Sequence, residues 1–224
     1  AYGLNELFNL GLSKQTIVEL SQRAEHNYVG TKCGIMDQFA SVMSKKGHVI
    51  LLDCQSLDYD YVPISIEPYK ILLLNTNVSH NLASGEYNIR RAQCEEGAAK
   101  IKQKYPEVNS LRDATMEMLN DVKTELSDVV YGRCRYVIEE KSRVLEAVEA
   151  LKNNELDKMG ALMYKTHEGL QHLYEVSCPE LDFLVDFSRS YDEVPGARVM
   201  GGGFGGCTIN IILKGEVDAV VLAA

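Results

Sequence analysis

Between Arg198 and Ile211 the chain reads RVMGGGFGGCTINI, with five glycines in six positions around Phe204 followed directly by an apolar run. Glycine loses more conformational entropy on folding than any other residue, so so dense a cluster points to backbone that side chains would obstruct. Two readings fit. Successive N–H groups without intruding Cβ atoms can converge on an anion such as phosphate; a tight turn or close backbone packing between strands needs the same bareness. The pattern is neither G-x-x-x-x-G-K-[ST] nor a G-x-G-x-x-G after a first strand. In CGIMDQF, Asp37 lies just beyond Gly34 where a loop feeds a helix. Its carboxylate can accept a hydroxyl proton or hold a cation beside a substrate, or simply cap the helix. In NTNVSHNLASGEYNIRRAQCEE, a polar loop follows an apolar strand, the sort of place where binding groups sit. Tyr87 can offer its phenol to a sugar or polyol there, whereas Arg90 and Arg91, with Glu95 four residues after Arg91, read as a salt-bridged helix face. His167 and His172 stand five apart on a predicted helix and point to different faces, which argues against a shared metal. His26 suits the C-terminal end of a helix dipole, and no histidine is assigned a catalytic role.

Hydrophobic periodicity outlines the elements that must hold these groups. Residues 3–9 and 13–27 are predicted as helices, with Ser13 as N-cap and an apolar face of Ile17, Val18 and Leu20. TKCGIMDQFASVMS is a loop entering a short helix. GHVILLDC (47–54) is β-rich, and SLDYDYVPI alternates Leu57, Tyr59 and Tyr61 against Asp58 and Asp60, so an antiparallel pair is predicted. Pro63 and Pro68 bracket a boundary, dividing residues 1–66 from residues 67–224. YKILLLNT is read as a buried strand, and 86–104 as a helix stopped by Pro106. The clearest helix runs over 129–152, with Val137, Val144, Leu145, Val148 and Leu151 on one face. Helices follow at 155–174 and at 179–191, the second opened by Pro179. GARVMGGGFGGCTINIILKG is a strand, a glycine loop and a strand, with a helix from near Val217. The order is α+β rather than regular βαβ alternation.

Composition narrows the function classes. The net charge is −9, from 23 Lys and Arg against 32 Asp and Glu, a field that repels nucleic acids and anionic membranes while allowing a local phosphate site. No run approaches the ~18 apolar residues of a membrane span, and the start lacks a secretory pattern. The six cysteines show no C-x-x-C pair and no zinc-type spacing, and read as reduced thiols of a cytoplasmic protein. The chain opens without Met and closes where an apolar helical pattern has only begun, so both ends are expected to be cuts through a longer protein.

Together and in this order, AEHNYVGTKCGIMDQFAS, NTNVSHNLASGEYNIRRAQCEE, LYEVSCPELDFL and GARVMGGGFGGCTINI resemble the galactokinases of the GHMP small-molecule kinase superfamily. The likeness spans nearly all 224 residues, with CGIMDQ and GGGFGGCT the most specific strings. It implies a two-domain GHMP-kinase-like fold: a remnant of the amino-terminal kinase domain at 1–66 and the carboxyl-terminal domain at 67–224. It implies that Asp37 takes or orients the proton of a sugar C1 hydroxyl, that Cys33 and Gly34 line the galactose pocket, and that Tyr87 lies near the sugar hydroxyls. Gly201, Gly202, Gly203, Phe204, Gly205 and Gly206 match the loop that packs near the nucleotide phosphates. ATP and Mg2+ are the implied cofactors. The phosphate-binding loop, the metal ligands and an arginine that partners the aspartate are implied to precede residue 1, and the last strand of the fold to follow residue 224. Residues 1–224 alone are therefore expected to be inactive, to hold no metal ligand, and to self-associate through apolar surface on residues 1–66. Alternatives are a kinase for N-acetylgalactosamine or arabinose, and a sugar and ATP sensor without useful turnover. CGIMD favours galactose, since the acetylated-sugar enzymes tend towards GGMDQ.

Overall fold

The computed structural model describes residues 1–78 and 83–223, without the side chains of residues 83 and 84. The chain divides into two compact units, Ala1–Ser65 and Ile66–Ala224.

In the first unit, α1 (Tyr2–Leu7) precedes α2 (Lys14–Ala24), and the Ser13 side chain accepts from the Thr16 N–H at 3.1 Å as the predicted cap. The α-helix stops at Ala24, short of residue 27. A π turn over Glu25–Val29 follows and closes on left-handed Gly30, so the predicted last turn is widened rather than absent. Next come α3 (Met36–Met43) and an antiparallel hairpin of β1 (His48–Leu52) and β2 (Tyr59–Pro63), with Val49 opposite Val62. The core is Val18, Ile35 and Phe39, packed with Val42, Met43, Ile50, Leu52 and Leu57. The Phe39 ring meets Tyr59 edge-on at 5.1 Å, and Tyr61 Oη donates to the Met43 carbonyl. Leu4 and Leu7 of α1 and its C-cap Phe8 are all exposed.

The second unit is built on an antiparallel sheet ordered β3 (Tyr69–Asn75), β5 (Cys207–Leu213), β4 (Gly196–Val199). The prediction of a buried β3 is corrected for the described residues, among which β3 pairs with β5 alone, with Ile71 and Leu73 about half exposed and Leu72 turned to the core. An all-apolar run cannot by itself distinguish a strand covered on both faces from one covered on one. The central strand β5 is the buried one. Its Asn210 is fully enclosed, donating to the Leu72 carbonyl and to Thr208 Oγ1 while accepting from Ser188 Oγ.

Helices α4 (Ala83–Lys104), α5 (Met116–Asp121) and α6 (Asp128–Lys152) enclose a second core of Ile101, Val108, Leu111, Leu119, Val122, Val130, Cys134 and Ile138. The apolar face predicted for α6 needs revision. Val148 and Leu151 are buried, but Val144 and Leu145 are 42% and 54% exposed, and the packed stripe begins with Val130, Cys134 and Ile138 at four-residue spacing. Helix α5 lies in a stretch for which the sequence pattern predicts no element; its Thr115 cap accepts from the Met118 N–H. α7 (Leu156–Gly169) passes into a π turn over Leu170–Tyr174, and α8 (Pro179–Arg189) and α9 (Val217–Ala223) cover one face of the sheet with Phe187, Val217 and Val220. Gly160 of α7 touches Gly196 of β4 so closely that a Cβ on either would overlap the other's backbone. All six cysteines are free, and burial pushes the Cys134 thiol up to about 12, which leaves it inert.

Candidate functional site

The loop entering α3 is held by its own carbonyl. The Cys33 oxygen is bonded by His26 Nε2 at 2.8 Å and accepts from Gln22 Nε2 at 3.2 Å, so the π turn bends back to grip the loop. Gln38 Nε2 lies 3.8 Å from the Cys33 thiol, and its Oε1 is buried without a hydrogen-bond partner. Ile35 and Phe39, four apart, anchor α3 in the core and leave Met36 and Asp37 on the outer side. Asp37 is exposed in the first turn, where the helix dipole favours a carboxylate. It does not cap the helix: the N-cap position is Ile35, with no side-chain cap. Cys33, Gly34 and Asp37 thus share one loop and helix turn.

In the second unit the glycine loop answers to two neighbours. A Cβ at Gly203 would overlap the Val176 carbonyl, and one at Gly205 would stand 2.7 Å from the Val78 carbonyl. Both glycines also have positive φ, +82° and +133°, so they are required by close backbone packing. Gly201 and Gly202 differ, since a Cβ on either meets nothing within 4 Å. The close-packing reading therefore holds for Gly203 and Gly205, while Gly201 and Gly202 leave open backbone. Phe204 also has positive φ, +59°, and its N–H donates to the Val176 carbonyl at 2.7 Å. On the other side the Gly206 carbonyl accepts from the Thr76 N–H at 2.9 Å and from Thr76 Oγ1 at 2.8 Å.

The turn after α7, residues 173–178, is the companion of this loop. Arg90 donates from Nε to the Tyr174 carbonyl and from Nη2 to the Glu175 carbonyl, both at 2.8 Å. Arg133, 3% exposed, donates to the Leu173 carbonyl and pairs with the Glu175 carboxylate at 2.6 Å. Arg91 pairs with Glu95 as predicted, but Arg90 is buried inside this network, correcting the surface-face reading. Tyr87, half-buried, sits on α4 one turn before Arg90; burial, the Cys94 thiol and Tyr87 hold the Tyr174 phenol protonated far above its ordinary range. Residues 79–82 of the polar loop predicted to carry binding groups lie outside the described residues. A cavity of 350 Å³ opens beside Asn75 and Thr76, bounded across by Pro179, Glu180 and Phe183 of α8.

Sequence reasoning missed Arg90, Arg133 and Val176. The arginines carried only a charge signal, and Val176 works through its carbonyl, which no side-chain pattern reports. Among the described residues no three His, Cys, Asp or Glu side chains come together to hold a metal ion, and no helix is long and apolar enough to cross a membrane.

The N-terminal GHMP kinase family model matches residues 1–45, and the C-terminal one residues 147–224, the stretch holding the companion turn and the glycine loop. The chain belongs to the GHMP kinases. Its relatives include galactokinases of Thermosipho africanus and Thermotoga maritima, each 44% identical over 98% of this chain. The chain spans 60% of the length of these curated relatives. In fold it is similar to the Lactococcus lactis galactokinase complexed with galactose, at a TM-score of 0.91 and 35% identity over 98% of this chain and 57% of that one. The L. major mevalonate kinase in complex with R-mevalonate shares the fold at a TM-score of 0.59 and 23% identity, covering 98% of this chain and 56% of that one. The α+β architecture is thus that of a GHMP kinase.

Proposed function

We propose that the protein is a galactokinase, transferring the γ-phosphoryl group of MgATP to the C1 hydroxyl of galactose to give galactose 1-phosphate. The observation that carries this reading is the 44% identity to galactokinases across 98% of the chain, and the close fold match to a galactose-bound galactokinase supports it. Phosphoryl transfer depends chiefly on positioning and on electrostatic stabilisation, and the chain's residues suit that division of labour. Asp37, a solvent-facing carboxylate on an anchored helix turn, takes or orients the hydroxyl proton. Cys33 and Gly34 line the sugar pocket, with Tyr87 near the sugar hydroxyls. Gly201 and Gly202 offer open backbone beside the nucleotide phosphates, while Gly203 to Gly206 lock that backbone in place. Magnesium enters with the nucleotide as substrate, and the described residues hold no ligand cluster for it.

The test is a substrate panel of galactose, N-acetylgalactosamine and arabinose with MgATP, the product identified by its position of phosphorylation. Galactose 1-phosphate formed in wide preference is expected. A preference for another sugar refutes the substrate, and tight sugar and ATP binding without turnover refutes the enzyme in favour of a sensor.

A further inference from the structure

Arg90 is 8% exposed, and its charged group is fully engaged. Nε and Nη2 donate to two successive carbonyls, Tyr174 and Glu175, and Nη1 pairs with Glu86 at 3.2 Å. Its Cζ also lies 6.0 Å from the centroid of the Phe204 ring, a cation–π distance. A buried guanidinium is tolerated only when its donors are satisfied, and the planar fork that serves two adjacent carbonyls is one an ammonium cannot copy. Those carbonyls lie where the chain leaves its π turn through Glu175, a non-glycine residue at φ +51°. The next residue, Val176, accepts the Phe204 N–H. Arg90 therefore reaches the glycine loop twice: through the companion turn, and directly at the Phe204 ring. Phe204 is held at φ +59°, a conformation that persists in a bulky residue only when its surroundings impose it. Arg133 grips the same turn at Leu173 and Glu175, yet no cation–π contact joins it to Phe204 among the described residues.

We propose that Arg90 is a positioning residue that sets the conformation of the glycine loop, holding Phe204 in its left-handed state and so aiming the open backbone of Gly201 and Gly202. Its consequence for catalysis rests on the galactokinase reading; its consequence for the loop does not.

Hydrogen–deuterium exchange on the full-length protein tests the loop directly. In Arg90→Gln the amides of residues 200–207 are expected to exchange about tenfold faster or more, with those of the β1–β2 hairpin unchanged. Phe204→Leu, which leaves the companion turn intact, gives the same direction with a smaller rise. In kinetics Arg90→Gln lowers kcat by about 10- to 100-fold and keeps the KM for galactose within about twofold, because Tyr87 stays on its helix. Arg90→Lys, which keeps a charge over the ring and can serve one carbonyl, recovers part of the loss. Arg133→Gln lowers the melting temperature with a smaller fall in kcat. Unchanged exchange over 200–207 in Arg90→Gln overturns the proposal, as do matching kinetic and exchange profiles for the Arg90 and Arg133 variants. If Arg90→Gln does not fold, exchange in Arg90→Lys and Phe204→Leu decides in the same sense. Wild-type protein that fails to phosphorylate galactose removes the kinase reading alone, and the exchange result still judges Arg90.

Discussion

Asp37 stands in solvent on the first turn of α3, while its neighbours Ile35 and Phe39 bear the packing. Replacing it is therefore expected to have little effect on the fold. Asp37→Asn is expected to cut kcat by at least about 100-fold, the scale of a lost general base, with an unchanged melting temperature; near-normal turnover would point to a proton lost late and directly to phosphate. Tyr87→Phe is expected to weaken galactose binding by about 0.5–1.5 kcal/mol, the net value of one hydrogen bond, read from KM under conditions where chemistry is slow. Gly202 offers a sharper probe of the glycine loop. Its φ is ordinary and a Cβ there meets no protein atom, so Gly202→Ala should leave stability unchanged or raise it by up to about 1 kcal/mol. A rise in the KM for ATP in that stable variant then reports a ligand close to the backbone, and unaltered kinetics would remove Gly202 from the nucleotide site.

The glycine loop as an element is defined by what it touches. Gly203→Ala forces a Cβ into the Val176 carbonyl at a φ of +82°, so unlike Gly202→Ala it should destabilise the unit, by about 1–3 kcal/mol for the strained conformation alone, measured by urea unfolding. The string GGGFGG reads as uniform, yet its positions divide between packing and open backbone because only some of them face another segment's carbonyl. The same limit applies to β3 and α6. An apolar strand was legible, but not that among the described residues only one of its faces would be covered; a helix with an apolar stripe was legible, but not which of several stripes the neighbouring helices would cover. Within β5, Asn210 interrupts an apolar run and binds strand to helix through Ser188. Asn210→Leu removes the side-chain acceptor of the Ser188 hydroxyl and the side-chain donor to the Leu72 carbonyl, and is expected to cost about 1–3 kcal/mol.

For stability as a whole, His167 is a source of pH dependence. It is 2% exposed, with Nε2 3.2 Å from Asp182 Oδ1 but out of line, so that neither ring nitrogen makes a hydrogen bond. Burial, aided by Arg189, pulls its pKa below the ordinary 6.5, against the opposing pull of Asp182 and Asp186. The folded state thus binds a proton less readily than the unfolded chain. Its contribution is complete above about pH 6.5 and is lost as pH falls through the lower folded value. The melting temperature should drop between pH 7.5 and pH 5, and His167→Gln should flatten that slope whatever it does to the absolute value. An equal slope in the variant would assign the dependence to other groups.

What the sequence determined by itself was what depends on local chemistry and order: the Ser13 cap, the β1–β2 pair from its period-2 alternation, and the ordered strings that mark a GHMP kinase. The tertiary structure alone decided which surfaces became covered and which backbone carbonyls met which donors. Arg90 and Arg91 are adjacent and chemically identical, yet one makes a surface pair and the other is buried against Tyr174, Glu175 and Phe204. Hydrogen bonds to main-chain carbonyls leave no residue-type signature on the acceptor, and the partners lie more than 80 positions along the chain, so only folding could reveal them.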